Sequence, residues 1–495
     1  MTKKSAVSWQ NVAAVVLVVC MLGAWMWATH KKYEGYVFST GDTAVAEQAL
    51  WNTVFTHRLF HQSFLIGNEF NLREHLNIVQ FLYLPLYALV PHTLTLLFII
   101  QALFAAGALT LYFYVARSLG WLAAYLVLAL WLLHPLTLKQ VIGPMHVVAI
   151  GGVFFLWLLM AYRERWYKRF LVLVLAMALV SEFVAPTLFL VGVLALWQRR
   201  GWKWVLPPMV AGAALQLAAK FYITVGFGSS GYLKQQFLNA LHGEIPKFAK
   251  RVKRVGEWLA PLAWVLPLAS RYSILLVPSL LIALVIIIYG RINGGSHVFV
   301  LIPPVLVMIF VELAARWRGK WRQKALFAVV ALWLVLAGVP HFLDRMDFKT
   351  SVHKEALDAA VRQIKDGGSV TADASVGPHV NRRAEFFLPD NRQQTDYVLL
   401  KRSKYADKKR KKRPELETRK ILYRRSIAES GAYRVVFRQG RVTLWVKKAK
   451  IAQLLRLEPA QVDALSDAQL AAQWNALPTP TPRNAFGWPM PQWLQ

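Results

Sequence analysis

The chain has 495 residues, 56% of them hydrophobic, with 58 Lys and Arg against 26 Asp and Glu for a formal net charge of +32. Long apolar runs recur from residue 9 to residue 340. They exclude a soluble globular protein, because crossing about 30 Å of hydrocarbon takes about 20 apolar helical residues. A single cysteine, Cys20, excludes an intrachain disulfide and a thiolate metal cluster, and the lack of short alternating segments argues against a β-barrel.

A polytopic α-helical membrane protein follows, with about 11 transmembrane helices expected near 10–28, 94–116, 121–138, 146–162, 168–181, 183–198, 204–224, 256–270, 272–290, 297–316 and 324–340. The first run follows a short basic start and lacks a small-x-small cleavage pattern, so it reads as a retained anchor. Lys3, Lys4 and the loops "RERWYKR" (163–169), "QRRGW" (198–202) and "RWRGKWRQK" (316–324) then share one side. Short basic loops mark the cytoplasmic face, which puts the N-terminus inside and the outer loop 29–93 and everything after residue 341 outside. One segment, "KFAKRVKR" (247–254), lands outside against this rule and reads as an interfacial amphipathic helix or as an error of one in the count. With the remaining excess charge in 401–425, anionic lipid headgroups suit the chain better than nucleic acid does.

Within loop 29–93, Thr43–Phe55 has helix-forming residues with Asp42 placed to cap them. "NIVQFLYLPLYALVPH" (77–92) is apolar but interrupted by Pro85, which suits a helix lying in the interface. The chain therefore divides into a transmembrane domain, 1–345, with a two-helix juxtamembrane loop, and an extracytoplasmic soluble α/β domain, 346–450. In the latter, "KEALDAAVRQIKDGG" (354–368) reads as a helix and "YRVVFRQGRVTLWVKK" (433–448) as a hairpin across Gln439-Gly440. Residues 401–425 form a basic insertion, expected to be solvated. Residues 451–495 form a helical then Pro-rich tail, expected to pack loosely.

Ionisable residues in or beside spans are costly, so they are functional candidates. Asp42, Glu47, Glu74, His75, His134, His146, Glu182 and His297 all fall in the first outer loop or near outer ends of spans. Each has a plainer reading. Asp42 is equally an N-cap, Glu47 a solvated helix face, and His134 and His146 interfacial histidines bonded to backbone. Glu182, in "VSEFVAP", interrupts about 30 apolar residues and is the hardest to dismiss. There is no GxxxxGK[ST], GxGxxG after a strand, GxSxG or HExxH, which argues against a nucleotide-driven pump and a zincin-like protease. Oxygen ligands of this kind suit Mg²⁺ or Mn²⁺, but no spacing singles out a metal site or a cofactor.

In order along the chain stand "GDTAVAEQALWNT", "REHLNIVQFLYLPLY", "HPLTLKQVIGPMH", "LVSEFVAP", "SHVFVLIPP" and "GPHVNRR". This ordered set, from about residue 33 to 447, resembles domain of unknown function family 2079, prokaryotic polytopic membrane proteins. Glu74-His75, Met145-His146 and Ser181-Glu182-Phe183 depart from that family's usual Asp-His, Phe-His and Lys-Glu-Asp. The layout in turn looks like the type-C glycosyltransferases, which use lipid-linked sugars. That likeness implies a sugar leaving a polyprenyl phosphate for an extracytoplasmic acceptor, with no separate nucleotide site. It casts Asp42 as general base, Glu47 as second carboxylate, and Arg73, His75 and His297 as phosphate contacts. His146 and Glu182 orient them, and Glu74, His134 and His379 complete the substrate site. Two other readings compete: a transporter or flippase of a lipid-linked intermediate, which would carry broken helices and mid-bilayer substrate residues, and a non-enzymatic envelope protein.

Overall fold

The computed structural model describes residues 9–38, 42–63, 76–227, 269–281, 299–347, 350–383, 385–389, 394–401 and 414–478. It divides into two compact units. The first comprises Met1–Thr29, Leu72–Phe81 and Leu97–Asp347; the second comprises His30–Asn71, Leu82–Leu96 and Phe348–Gln495.

The first unit is helical. Helix α1 (Trp9–Glu34) ends in Lys31 and Lys32, which complement the negative end of its dipole. After α2 (Asp42–Phe55), which belongs to the second unit, a 3-10 turn (Ile78–Tyr83) runs into α3 (Leu84–Leu89). Along Ile78–Leu89 a row of exposed apolar residues, Ile78, Phe81, Leu82, Leu86 and Leu89, backs onto buried Val79, Tyr83 and Tyr87. This is the amphipathic form of an interfacial helix, and helices stand at both places in 29–93 where the sequence reading expected them. Then follow α4 (Thr93–Leu119), α5 (Trp121–Leu133), α6 (Pro135–Val141), α7 (Ile150–Arg163), α8 (Tyr167–Ala178), α9 (Ala185–Trp197) and α10 (Trp202–Phe227). Beyond them lie a 3-10 turn (Arg271–Leu276), α11 (Ile302–Arg316) and α12 (Trp321–Trp333). A π turn (Leu334–Gly338) continues α12 into α13 (Val339–Met346).

The helices fall where the apolar runs do, but not all are full spans. Among the described residues four are long and apolar enough to cross a membrane alone: Trp9–Glu34, Thr93–Leu119, Trp202–Phe221 and Trp321–Met346. The pair α5 and α6 is apolar enough for a fifth but is bent by 55°, the form of a broken span or a re-entrant loop. Val147–Arg163 and Glu182–Trp197 are shorter, and α8, with 12 residues, reaches only about 18 Å. The expected spans 168–181 and 183–198 thus meet at Glu182 as read, but as short helices. Most of the expected spans 256–270 and 272–290, and the basic segment 247–254, lie outside the described residues.

Inside this unit, buried side-chain donors bond from helix to helix. Gln101 on α4 donates to Thr29 Oγ1 at 2.7 Å and to the Val141 carbonyl at 2.6 Å. Buried Trp131 donates to the Phe104 carbonyl at 3.1 Å. Leaving such groups unpaired would cost several kcal/mol each in hydrocarbon.

The second unit holds a five-stranded sheet, β1 (Val370–Ala372), β2 (Phe386–Phe387), β3 (Tyr397–Lys401), β4 (Tyr433–Gln439) and β5 (Val442–Lys447), in the order β2-β1-β3-β5-β4. β1 is parallel to β2 and β3, and β5 is antiparallel to β3 and β4. The hairpin turns at Gly440, whose φ of 56° few side chains tolerate. Helix α14 (Lys354–Arg362), the expected helix though it ends before the glycines, buries Leu357 and Ala360 against one sheet face. α15 (Gly377–Val380) is a single turn carrying the "GPHVNRR" motif.

Two segments pack more than the sequence reading allowed. Within 401–425, taken as a solvated basic insertion, α16 (Pro414–Glu429) forms and sets Tyr423 and Ile427 against Val398, Leu400 and Trp445 on the other sheet face. These two residues are four apart and share a helix face. The tail is helical before its Pro-rich end, as expected, with α17 (Lys448–Leu455), α18 (Pro459–Ala464) and α19 (Asp467–Ala476), but it does not pack loosely. Their Ile451, Val462, Leu470 and Trp474 are fully buried in the main core, because one apolar residue per turn is enough to seat a short helix on a sheet. The Pro-rich residues 479–495 lie outside the described residues.

Candidate functional site

In the second unit, α2 carries the motif "EQALWN" and α15 carries "GPHVNRR", and the two pack together. Gln48 and Asn52, one turn apart, are fully buried on α2. Gln48 Oε1 accepts from the Ser63 amide at 3.1 Å, while Ser63 Oγ accepts from the Phe386 amide at 2.7 Å. Asn52 donates to the His61 carbonyl at 3.0 Å. These amides tie the chain after α2 to the edge strand β2.

Between them in space stands Glu47, with no exposed surface. Its Oε1 accepts from the Tyr87 hydroxyl at 3.2 Å, and its Oε2 makes a short hydrogen bond with the Thr93 hydroxyl. The Asn381 amide also reaches the carboxyl, and donates to the Ala44 carbonyl at 2.8 Å. Thr93 Oγ1 lies 2.9 Å from the Pro378 carbonyl as well. A hydroxyl has one proton, and an ionised carboxylate and a carbonyl both need it. Both contacts are satisfied when Glu47 is protonated, donates to Thr93, and Thr93 donates to Pro378. Burial pushes the Glu47 carboxyl above its ordinary range, against the opposing pull of Arg382 and its hydrogen-bond donors, which agrees with that proton count. Arg382 is partly buried and donates to the Pro91 carbonyl at 3.3 Å. Burial would lower its pKa, but Tyr33, Glu47 and Tyr87 outweigh that and raise it.

His379 lies between two tyrosine rings, with centroids 4.1 Å from Tyr33 and 4.0 Å from Tyr36, both stacked. Its Nε2–H donates to the Tyr33 carbonyl at 3.1 Å. Burial, with Arg382 adding to it, pulls this imidazole down to about 3, so it is neutral at neutral pH. His92 caps α4, its Nδ1 accepting from the Leu94 amide at 3.1 Å. Burial and the charges of Arg382, His379 and His30 hold it well below its ordinary value.

In the first unit, Glu182 sits in the turn between α8 and α9, 9% exposed. Its Oε2 accepts from the Leu76 amide and from Ser181 Oγ, each at 3.1 Å. His134 caps α6: it sits before Pro135, in the extended backbone that proline imposes, and its Nδ1 accepts from the Leu136 amide at 3.2 Å. His146, partly buried, precedes the 3-10 turn Val147–Ala149 and its carbonyl accepts from Ala149 at 2.9 Å.

Of the residues proposed from sequence, Glu47 and His379 therefore join one network, while Glu182, His134 and His146 occupy separate turns of the helical unit. Asp42 opens α2. Its side chain, and Arg73, Glu74, His75 and His297, lie outside the described residues. Sequence reasoning missed Tyr87, Thr93, Asn381 and Arg382. The last two stand inside a motif that had been quoted for its histidine alone. Among the described residues no three His, Cys, Asp or Glu side chains gather to hold a metal ion, and no step below uses one.

Residues 36–230 match the family described as "Predicted membrane protein (DUF2079)". The DUF2079 match covers the Glu47 motif and the turns holding His134, His146 and Glu182, and stops before "SHVFVLIPP" and "GPHVNRR". No curated protein matches the chain. Among solved structures it is similar to ArnT from Cupriavidus metallidurans bound to undecaprenyl phosphate, at 12% identity and a TM-score of 0.54, over 87% of this chain and 97% of that one. It is also similar to the apo state of the same protein, at 11% identity and 0.51, over 88% and 98%. ArnT has the type-C glycosyltransferase fold, and at such identities the likeness is one of fold. The chain is a multi-pass membrane protein of that architecture.

Proposed function

We propose that this protein is a membrane glycosyltransferase that moves a sugar from a polyprenyl phosphate to an acceptor outside the cytoplasm, with its N-terminus inside and its sheet-bearing unit outside. The observation that carries this reading is the fold likeness, along nearly the whole chain, to a protein crystallised with undecaprenyl phosphate. In the reaction the acceptor oxygen bonds to the anomeric carbon as the bond from that carbon to the phosphate oxygen breaks. The acceptor proton goes to a carboxylate, and the polyprenyl phosphate leaves with the bonding pair. We assign the base to Asp42, at the first residue of α2. Arg73, His75 and His297 are assigned to the phosphate oxygens, His146 and Glu182 to orienting them, and Glu74 and His134 to the substrate cavity. Glu47, buried and hydrogen-bonded by Thr93 and Tyr87, serves as a positioning residue for α2, and His379 helps clamp α15 in place.

The test uses the purified full chain, a panel of polyprenyl-phosphate sugars, and native mass spectrometry for lipid binding. Asp42→Asn should keep undecaprenyl phosphate bound and lower transfer by about 100-fold or more, as expected for a lost general base. Transfer at the wild-type rate removes Asp42 from that role.

One observation favours a second reading. The 55° break between α5 and α6 at His134-Pro135 is the kind of discontinuous helix transporters use. Flipping of a fluorescent polyprenyl phosphate in proteoliposomes, without transfer, would establish a flippase instead.

A further inference from the structure

The ends of α7, α9 and α11 and the starts of α8 and α10 line an open cavity of 790 Å³ in the helical unit. Seven cationic side chains line it, among them Arg163, Arg165, Arg199, Arg200 and Lys203, against one carboxylate, Glu312. That carboxylate is already engaged by Arg316 and by Ser270 Oγ. Basic loops at the cytoplasmic ends of spans explain the presence of such residues, and arginines at helix ends complement the dipoles. Neither effect explains three details of how they are held.

First, Arg163 lines the cavity, while its Nη1 is buried and has no hydrogen-bond partner among the described residues. A buried guanidinium nitrogen left unpaired is costly. Second, α7 and α9 end in the same way. Trp166 donates to the Ala161 carbonyl and Arg165 to Tyr162; Arg200 donates to Ala195 and Arg199 to Leu196. Each is a Schellman ending, whose left-handed position glycine normally fills. Here arginines fill it, with φ of 60° at Arg165 and 53° at Arg199. The turn after α11 uses Gly319 at its positive φ, so glycine is used at one basic turn and withheld at the two whose residues line the cavity. Third, Arg200 is held rigid in the wall, its guanidinium 3.9 Å from the Tyr162 ring centroid.

The cavity also lies at a defined depth. Exposed Trp166, Trp197 and Trp202 flank it at the helix ends. Such tryptophans mark the level of lipid headgroups.

We propose that this basic cavity binds a phosphate-bearing anion at the membrane surface, the phosphate of an anionic lipid headgroup or a free polyphosphate, independently of the transfer reaction. Arg165 and Arg199 accept a disfavoured backbone so that their charges reach it, and Arg163 adds its charge to the wall.

The test replaces both strained arginines with the residue the turn prefers. Full-length Arg165→Gly/Arg199→Gly should melt at the same temperature as wild type or higher in plain detergent, which separates binding from folding. It should lose at least about tenfold in anion affinity. Retention of phosphatidylglycerol over phosphatidylcholine, read by native mass spectrometry from mixed nanodiscs, identifies a lipid source. A rise in melting temperature with inorganic pyrophosphate identifies a soluble one. Arg163→Gln should weaken the same binding, whereas Arg438→Gln, which removes one charge from the exposed end of β4, should not. The proposal is overturned if the double variant binds both probes within twofold of wild type, if wild type prefers neither, or if Arg438→Gln loses as much.

Discussion

Glu47 and Glu182 are both buried glutamates near the start of a helix, one in each unit, and they meet different kinds of partner. The helical unit gives Glu182 the hydroxyl of its neighbour Ser181 and the backbone amide of Leu76, 106 residues away. The sheet-bearing unit gives Glu47 side chains: hydroxyls at Tyr87 and Thr93, 40 and 46 residues away, and Asn381 and Arg382 from beyond the last span. Both settings exist only when segments far apart in the sequence have assembled. A backbone amide survives a change of side chain at its position, whereas a hydroxyl is lost with a single substitution.

The sharpest way to break this contrast is Thr93→Val. It keeps the shape and removes the hydroxyl shared by Glu47 and the Pro378 carbonyl. Two buried partners lose a bond, so we expect a loss of about 3 kcal/mol, read as a lower melting temperature in detergent. A loss under about 0.5 kcal/mol would mean the network is not closed through Thr93. Glu182→Ala should cost less, about 1–2 kcal/mol, by orphaning the Leu76 amide. Glu182→Gln keeps an acceptor there and should melt within a degree or two of wild type.

The smallest effect is one of sign. Folding raises the Glu47 pKa through burial. Its contribution is therefore fully present below the unfolded value of 4.5 and is lost as pH rises through the folded value. Glu47→Gln mimics the protonated form. It should be as stable as wild type near about pH 4 and more stable, by up to about 1 kcal/mol, near about pH 8. Greater stability of the wild type at the alkaline end would show that Glu47 is ionised in the fold.

How much was legible follows the same division. The helices could be read because apolar runs are local, but the break at His134-Pro135 falls inside the expected span 121–138 and was missed, although the residue before a proline is pushed out of helical backbone. Glu182 stood out for interrupting such a run. The partners of Glu47 carry no local mark: Thr93 opens a span like any threonine, and Tyr87 is one aromatic among many. "EQALWN" and "GPHVNRR" stood in the sequence as two of six ordered motifs, with nothing local to say that they meet. Helix α16 was hidden by its own charge, since its apolar pair Tyr423 and Ile427 is outnumbered by the basic residues around it.

The π turn at Leu334–Gly338, between α12 and α13, has a mechanical consequence. A wide turn of this kind amounts to one surplus residue in an otherwise regular helix, and each residue advances the winding by about 100°. Deleting one position there would let Trp321–Met346 wind without interruption and leave the side chains of α13, exposed Val339 and Leu343 among them, near the azimuth they have now, because the wide turn already takes up the extra residue. A regular α-helix through all the present residues would instead swing α13 by about 100° about the axis. The phase in which the last long helix continues is thus set by the wide turn rather than by the identity of the residues that follow it.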